Sequence, residues 1–203
     1  MLQISDAVRE IVAESEEVSY ALNNKFLNFS AYAKQILKVI ELKSKKQVKL
    51  GSIVVALSRI EKEKKNSIVT EVKIDNITTQ SPLVEITYDR SGESIKMIKN
   101  IQAETSEFLT ITQGTDEITI ICTEKTRAKF KLKPKVEINN LVAISMRFSE
   151  KYIDEPNVIY SLLRKLAVKR INVLEVVSTY TELTILVKLG DLERGIQSLS
   201  NRF

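Results

Sequence analysis

The feature that most constrains this 203-residue chain is a change of hydrophobic period in its last third. Four alternating apolar residues predict a strand with one buried face: Val142, Ile144, Met146 and Phe148. After Pro156, which suits the start of a helix, apolar residues recur at helical spacing. They are Val158, Leu162 and Leu166, with Ile159 and Leu163 expected to widen the stripe. The sequence therefore passes from strand to amphipathic helix.

The rest of this segment predicts a hairpin and a second helix. Residues 171–179 and 183–188 are rich in β-branched side chains, and three residues separate them. Gly190 and Asp191 then precede a helix that carries Leu192, Ile196 and Leu199. Two helices on one face of a small antiparallel sheet would bury both apolar stripes.

These residues carry a resemblance to a known family. The segment from Asp154 to Ala167, followed by Arg170-Ile171-Asn172-Val173 and Ser178-Thr179, resembles the ACT domain, above all the copies that end aspartate kinases. The resemblance implies a ferredoxin-like βαββαβ module that binds amino acids or other small regulators, usually between paired modules.

The resemblance also implies where a ligand would bind. The family usually has Gly after the Pro, and this chain has Asn157, which tolerates a positive φ and offers a side-chain amide. The implied ligand-binding residues are Ser149, Asp154, Glu155, Asn157, Val158, Asn172 and Val173. The alternative is a degenerate site in a module that serves only oligomerisation.

The middle of the chain repeats the same order of elements. Residues 83–89 alternate as a strand, a helix carries Ile95, Ile98 and Ile101, and residues 107–112 and 117–123 form a hairpin. Residues 124–133 alternate like a strand, but their position in the repeat favours a short helix that ends before Pro134. We therefore predict an α+β chain: a helical domain over residues 1–65, a degenerate ACT-like module over 66–136 and a second module over 137–203.

The first 65 residues predict a bundle of four helices. Ser5 would cap the first helix, which runs to about Glu14, and a second would span residues 16–24. Ser30 would cap the third, and the fourth would follow Gly51.

Charge in this region is uneven. Residues 25–65 hold eleven Lys or Arg against three acids, a net charge of +8, whereas residues 1–24 carry −4. The third and fourth helices are similar to a winged helix-turn-helix, with residues 51–59 in the recognition position. The candidate nucleic-acid contacts are Lys43, Lys45, Lys46, Lys49 and Arg59. The alternative is a lysine-rich surface that only keeps the chain soluble.

Composition argues against an enzyme. The chain has no His, one Cys and five Gly, so the usual general bases, metal sites and phosphate loops lack their residues. Cys122 lies in an apolar alternating run and is expected in the core. We expect no catalytic residue, no cofactor and no metal. The absence of a long apolar run and of a signal-peptide pattern predicts a cytoplasmic protein.

Together these patterns predict a regulatory protein. Its ACT-like modules would bind an amino acid or similar effector, associate with a second copy and signal to a partner. One alternative is a transcriptional regulator that grips DNA through the helical domain. Another is an allosteric or structural subunit of an amino-acid biosynthetic enzyme.

Overall fold

A computed structural model describes residues 2–63 and 70–200 of the chain. The chain divides into two compact units, Met1–Ile68 and Val69–Phe203, and each is considered by itself. The predicted boundary between residues 65 and 66 lies outside the described residues.

The first unit consists of four helices around one apolar core, in agreement with the predicted bundle. They are α1 (Ile4–Ala13), α2 (Glu16–Asn23), α3 (Phe29–Ser44) and α4 (Leu50–Lys62). Two predicted caps are wrong. Helix α1 begins after Gln3 instead of Ser5. Helix α3 begins after Asn28, whose Oδ1 accepts a hydrogen bond from the Ala31 N–H at 3.1 Å, so Ser30 is already inside the helix.

The second unit contains one antiparallel sheet of six strands. Its elements follow in the order β1 (Ile74–Asp89), α5 (Gly92–Glu104), β2 (Leu109–Gln113), β3 (Glu117–Thr123), α6 (Glu124–Arg127), β4 (Val136–Phe148), α7 (Val158–Val168), β5 (Glu175–Ser178), β6 (Glu182–Lys188) and α8 (Leu192–Ser200). The strands lie in the order β2-β3-β1-β4-β6-β5. The sequence strand, helix, strand, strand, helix thus occurs twice, and β1 and β4 meet at the centre of the sheet.

The two central strands pair over almost their whole length. Their antiparallel register runs from Ile74 opposite Phe148 to Thr87 opposite Val136. It shifts at three places, between Ile74 and Asn76, between Gln80 and Leu83, and between Leu83 and Glu85. Strand β1 therefore begins nine residues before the predicted start at residue 83. Because the extra residues of β1 pair with the second half of β4, the two halves of the unit share one continuous sheet.

Matching hydroxyl pairs show how closely the halves correspond. Thr87 and Thr119 lie opposite each other on β1 and β3, and their hydroxyl oxygens are 3.1 Å apart. Ser145 and Thr184 occupy the corresponding positions on β4 and β6, at 2.7 Å.

Each half has its own core beneath its helices. In the second half the predicted strand residues Val142, Ile144 and Met146 are fully buried. They belong to one cluster with the α7 residues Leu162 and Leu166. Ile159 is 45% exposed, so its predicted place in the buried stripe is wrong.

The core of the first half contains Cys122, as predicted. Burial raises the pKa of its thiol to about 11, which leaves the sulfur protonated and unreactive at neutral pH.

A further apolar cluster contains residues of the central strands that alternate with the residues of the two cores. Leu83 and Leu141 face each other across β1 and β4, and Leu186 and Phe108 complete the packing. Glu85 lies two residues from Leu83 and is only 9% exposed, and its Oε2 has no hydrogen-bond partner within the described chain. Burial raises the pKa of the Glu85 carboxyl. Glu175 adds to that shift and Lys188 opposes it.

The shared strands predict that the two halves unfold together. Leu141→Ala should lower the free energy of unfolding by about 3 kcal/mol, because it leaves a cavity at the seam between the halves. Urea titration followed by hydrogen exchange in peptides from β3 and from β6 measures this. Both peptides should lose protection at the same urea concentration. Separate transitions would contradict the shared sheet.

The buried Glu85 predicts a pH-dependent stability. A carboxyl with a raised pKa in the folded state favours folding fully only below its unfolded pKa of about 4.5, and that contribution is lost as the pH rises. Glu85→Gln should therefore raise the Tm at pH 7, and the difference should shrink towards pH 4. The exposed Glu104→Gln is the matched control and should leave the Tm unchanged. An equal Tm difference at both pH values would contradict the prediction.

Candidate functional site

The predicted effector loop, residues 149–158, connects β4 to α7. Ser149 precedes a short 3-10 turn, Glu150–Tyr152, and Asn157 precedes the first residue of α7. Asp154, Glu155 and Asn157 are exposed, whereas Val158 is 7% exposed and belongs to the core. The loop thus presents two carboxylates and one amide to solvent directly before a helix.

The start of α7 is open. Asn157 has a φ of 65°, the left-handed conformation that Asn tolerates better than most residues. Within the described chain its side chain makes no capping hydrogen bond. The first N–H groups of a helix lack intrahelical partners and favour an anion.

The equivalent helix of the first half is closed. Ser91 precedes α5, and its hydroxyl accepts from the Ser94 N–H at 3.1 Å. In return the Ser91 N–H donates to the Ser94 hydroxyl at 2.9 Å. This capping box satisfies two backbone N–H groups at the start of α5 with the chain's own side chains. The two halves therefore differ at the position where the family resemblance implies ligand binding.

The remaining two predicted residues lie elsewhere. Asn172 and Val173 follow α7, and the loop precedes it, so the 11-residue helix separates them by about 16 Å. Asn172 is exposed, and Val173 packs against the core of the second half. One copy of the unit does not bring these residues to the loop.

Four residues near the loop were not predicted. The Thr70 N–H donates to the Ser161 hydroxyl at 2.9 Å, and the Thr70 hydroxyl donates to the Pro156 carbonyl at 2.8 Å. The Lys73 N–H donates to the Tyr152 hydroxyl at 3.0 Å. Only Ser161 gave a signal in the sequence, since it is a polar residue next to Leu162 on the buried side of α7.

The predicted nucleic-acid residues divide into two groups. Lys43 forms ion pairs with Glu10 at 3.0 Å and Glu14 at 3.6 Å, and the hydrogen bond to Glu10 raises the pKa of its ammonium group. Lys45 ends α3 in the left-handed conformation, and Lys49 precedes α4.

Lys46 and Arg59 lie together on an open cavity of about 480 Å³. The first turns of two helices also line it, through Ile4 and Ser5 of α1 and Gly51 and Ser52 of α4. The structure thus brings Lys46 and Arg59 together at this cavity, whereas acidic side chains form ion pairs with Lys43.

Two other features are absent from residues 2–63 and 70–200. No helix there is both long and apolar enough to cross a membrane. The same residues contain no group of three or more side chains suited to hold a metal ion.

The order of strands and helices in the second unit defines a class. The unit is similar in fold to the ACT-containing regulatory domains of aspartate kinases. No family model and no curated protein matches the sequence.

One similar structure is the aspartate kinase of Clostridium acetobutylicum, with a TM-score of 0.53 and 11% identity over 64% of this chain and 35% of that chain. Another is the ligand-free regulatory subunit of aspartate kinase from Thermus thermophilus, with a TM-score of 0.52 and 8% identity over 62% of this chain and 95% of that chain. The aspartate kinase of Synechocystis, with a TM-score of 0.52 and 14% identity, matches 83% of this chain and 37% of that one. The chain therefore spans about a third of the length of the two full kinases. At these identities the similarity is one of fold.

The left-handed conformation of Asn157 predicts a specific order of stabilities. Asn157→Ala should lower the free energy of unfolding by about 1 kcal/mol, because a Cβ without a compensating polar group is strained at positive φ. Asn157→Gly should leave it unchanged or slightly higher. Thermal and urea unfolding of both variants measure the difference. Equal stability of the Ala and Gly variants would contradict the backbone assignment.

Proposed function

We propose that the chain is a non-enzymatic regulatory protein whose sheet unit binds an amino acid or a similar small effector. In this proposal each half of the unit is a ferredoxin-like ACT module, and the long strands β1 and β4 join the two. The first module is structural, and the second holds the effector.

The observation that carries the proposal is the difference between the starts of α5 and α7. Ser91 and Ser94 form a capping box at the N-terminus of α5, so the backbone N–H groups of both residues already have partners. Helix α7 begins without a side-chain cap of its own, directly after two exposed carboxylates. An amino acid carries a carboxylate and an ammonium group, which are the charges that this loop complements.

The proposed pose follows from these charges. The effector's carboxylate accepts hydrogen bonds from N–H groups at the start of α7. Asp154 and Glu155 together receive the ammonium group, and the Asn157 amide offers a further donor and acceptor. Asn172 and Val173 of a neighbouring module supply the second wall, which requires a second copy because α7 separates them from the loop within one copy. The proposal therefore includes a homo-oligomer.

The same proposal excludes catalysis. The chain lacks His, and burial raises the pKa of the thiol of its one Cys. It therefore has neither a Ser–His nor a Cys–His pair to act as a nucleophile. The effector would act by binding two arrangements of the modules with different affinities, which shifts their populations. The aspartate kinase of Thermus thermophilus has a regulatory subunit. By analogy, the partner of this chain would be an enzyme to which the chain docks.

Isothermal titration of the full chain against each of the twenty standard amino acids tests the proposal. At least one should release or absorb heat at a stoichiometry of one per chain. Asp154→Asn should weaken that binding roughly tenfold or more, because it removes a charge from a charge-assisted hydrogen bond.

The matched control is Asp116→Asn, an exposed acid in the turn between β2 and β3 of the first half. It removes the same charge and should leave the affinity unchanged. If none of the twenty amino acids gives heat, the sensing function is wrong. If Asp116→Asn weakens binding as much as Asp154→Asn, the site assignment is wrong.

The cavity in the helical unit favours a second candidate, a DNA-binding regulator. Lys46, Arg59 and the first turns of two helices converge there, and all of these attract phosphate. Lys43 would not contribute, because Glu10 and Glu14 already hold it.

Binding of the full chain to a mixed-sequence duplex tests this candidate. Affinity should fall steeply with salt, and Lys46→Glu should reduce it at least tenfold. The exposed Lys34→Glu on α3 makes the same change of charge away from the cavity and is the control. Equal losses for both variants would show a diffuse charge effect, and no binding at low salt would exclude the candidate.

A further inference from the structure

The segment before the sheet is attached to the candidate effector loop. Residues 70–73, here called the strap, lead into β1, and in the sequence they follow the helical unit. Three hydrogen bonds hold the strap: Thr70 donates twice, to Ser161 at 2.9 Å and to Pro156 at 2.8 Å. Lys73 donates once, to Tyr152 at 3.0 Å.

All three acceptors belong to the loop or to the first turns of α7. The Pro156 carbonyl directly precedes Asn157, and Tyr152 lies in the 3-10 turn of the loop. Tyr152 is 8% exposed and packs edge-to-face against Phe148, with ring centroids 6.3 Å apart. Ser161 is 3% exposed. Tyr152 and Ser161 are therefore anchored in the core, whereas Pro156 lies on the exposed part of the loop.

Apolar contacts reinforce the attachment. Val72 and Ile74 are half-buried and pack against the same core cluster that contains Tyr152, Val158 and Leu162. Release of the strap would break three hydrogen bonds and expose part of this surface together, so the attachment favours two states over a gradual displacement.

We propose that the strap and the loop form one two-state element, in which the strap is held when the loop is ordered and released when the loop loosens. In the proposed function, effector binding orders the loop and so holds the strap. Linkage makes the effect reciprocal: a change that frees the strap must loosen the loop. The regulatory meaning rests on the proposed function, whereas the coupling itself is a property of the unliganded chain.

Hydrogen-exchange mass spectrometry of the full chain without ligand tests the coupling. Thr70→Val removes the hydroxyl donor on the strap, and Ser161→Ala removes the acceptor on α7. Each should speed exchange roughly fivefold, both in peptides covering residues 70–77 and in peptides covering residues 150–160. If either variant speeds exchange only in the segment that it alters, the proposal is overturned.

Two controls match these changes. Thr79→Val alters an exposed threonine of β1 whose hydroxyl makes no hydrogen bond within the described chain. Ser198→Ala alters a buried serine of α8 whose hydroxyl donates only to its own helix, to the Arg194 carbonyl at 2.7 Å. Neither should change exchange in the strap or in the loop. Faster exchange at both places in a control would show general destabilisation and overturn the proposal.

A second arm separates this inference from the proposed function. An equimolar mixture of the twenty amino acids should slow exchange in the loop and the strap of the wild type, but only in the loop of Ser161→Ala. Protection of the wild-type loop without the strap would overturn the coupling and leave effector binding intact. If the mixture protects neither segment, effector binding is wrong, and the ligand-free comparison alone decides whether the coupling exists.

Discussion

The pairing of β1 with β4 is the interaction on which the second unit depends. Each half has only one layer of helices and a short hairpin, and a module of about 60 residues buries too little apolar surface to be robust alone. Because β1 and β4 extend past the centre, each half gains a further strand from the other. Leu83 and Leu141 meet at the crossing and are both fully buried. The sheet is thus a single structure made from two similar pieces.

This shared framework allows the halves to differ where they do not support each other. The hydroxyl pairs Thr87 with Thr119 and Ser145 with Thr184 show that the strands kept equivalent positions. The starts of α5 and α7, in contrast, differ between the two halves. A capping box satisfies two backbone N–H groups at the start of α5, whereas α7 begins after Asn157 without a side-chain cap. In the proposed function, the uncapped start of α7 belongs to the effector site, and the half that contains α5 has a structural role.

Hydrophobic period predicted most elements of this unit, because the buried faces of α7, β4 and β6 are local patterns. It missed the first nine residues of β1. Residues 74–82 include Asp75, Asn76 and Gln80, and little in them alternates. They form a strand because β4 offers a partner, which a local pattern does not contain. The strap was missed for the same reason, since each of its hydrogen bonds joins residues that are far apart in the sequence. The loop, in contrast, is contiguous, and its predicted residues lie together for that reason alone.

The helical unit shows how long-range contacts change the meaning of a charge count. The excess of lysine predicted a basic surface, but Glu10 and Glu14 of α1 neutralise Lys43 on α3, and Arg9 pairs with Glu63 after α4. These ion pairs thus partly cancel the negative charge of the first helix and the positive charge of the basic region. Of the five predicted nucleic-acid contacts, Lys46 and Arg59 line one cavity together with the first turns of α1 and α4, neither of which has a side-chain cap. An anionic partner of this unit would therefore contact the beginning of α4, and the length of the candidate recognition helix would matter less than its first turn.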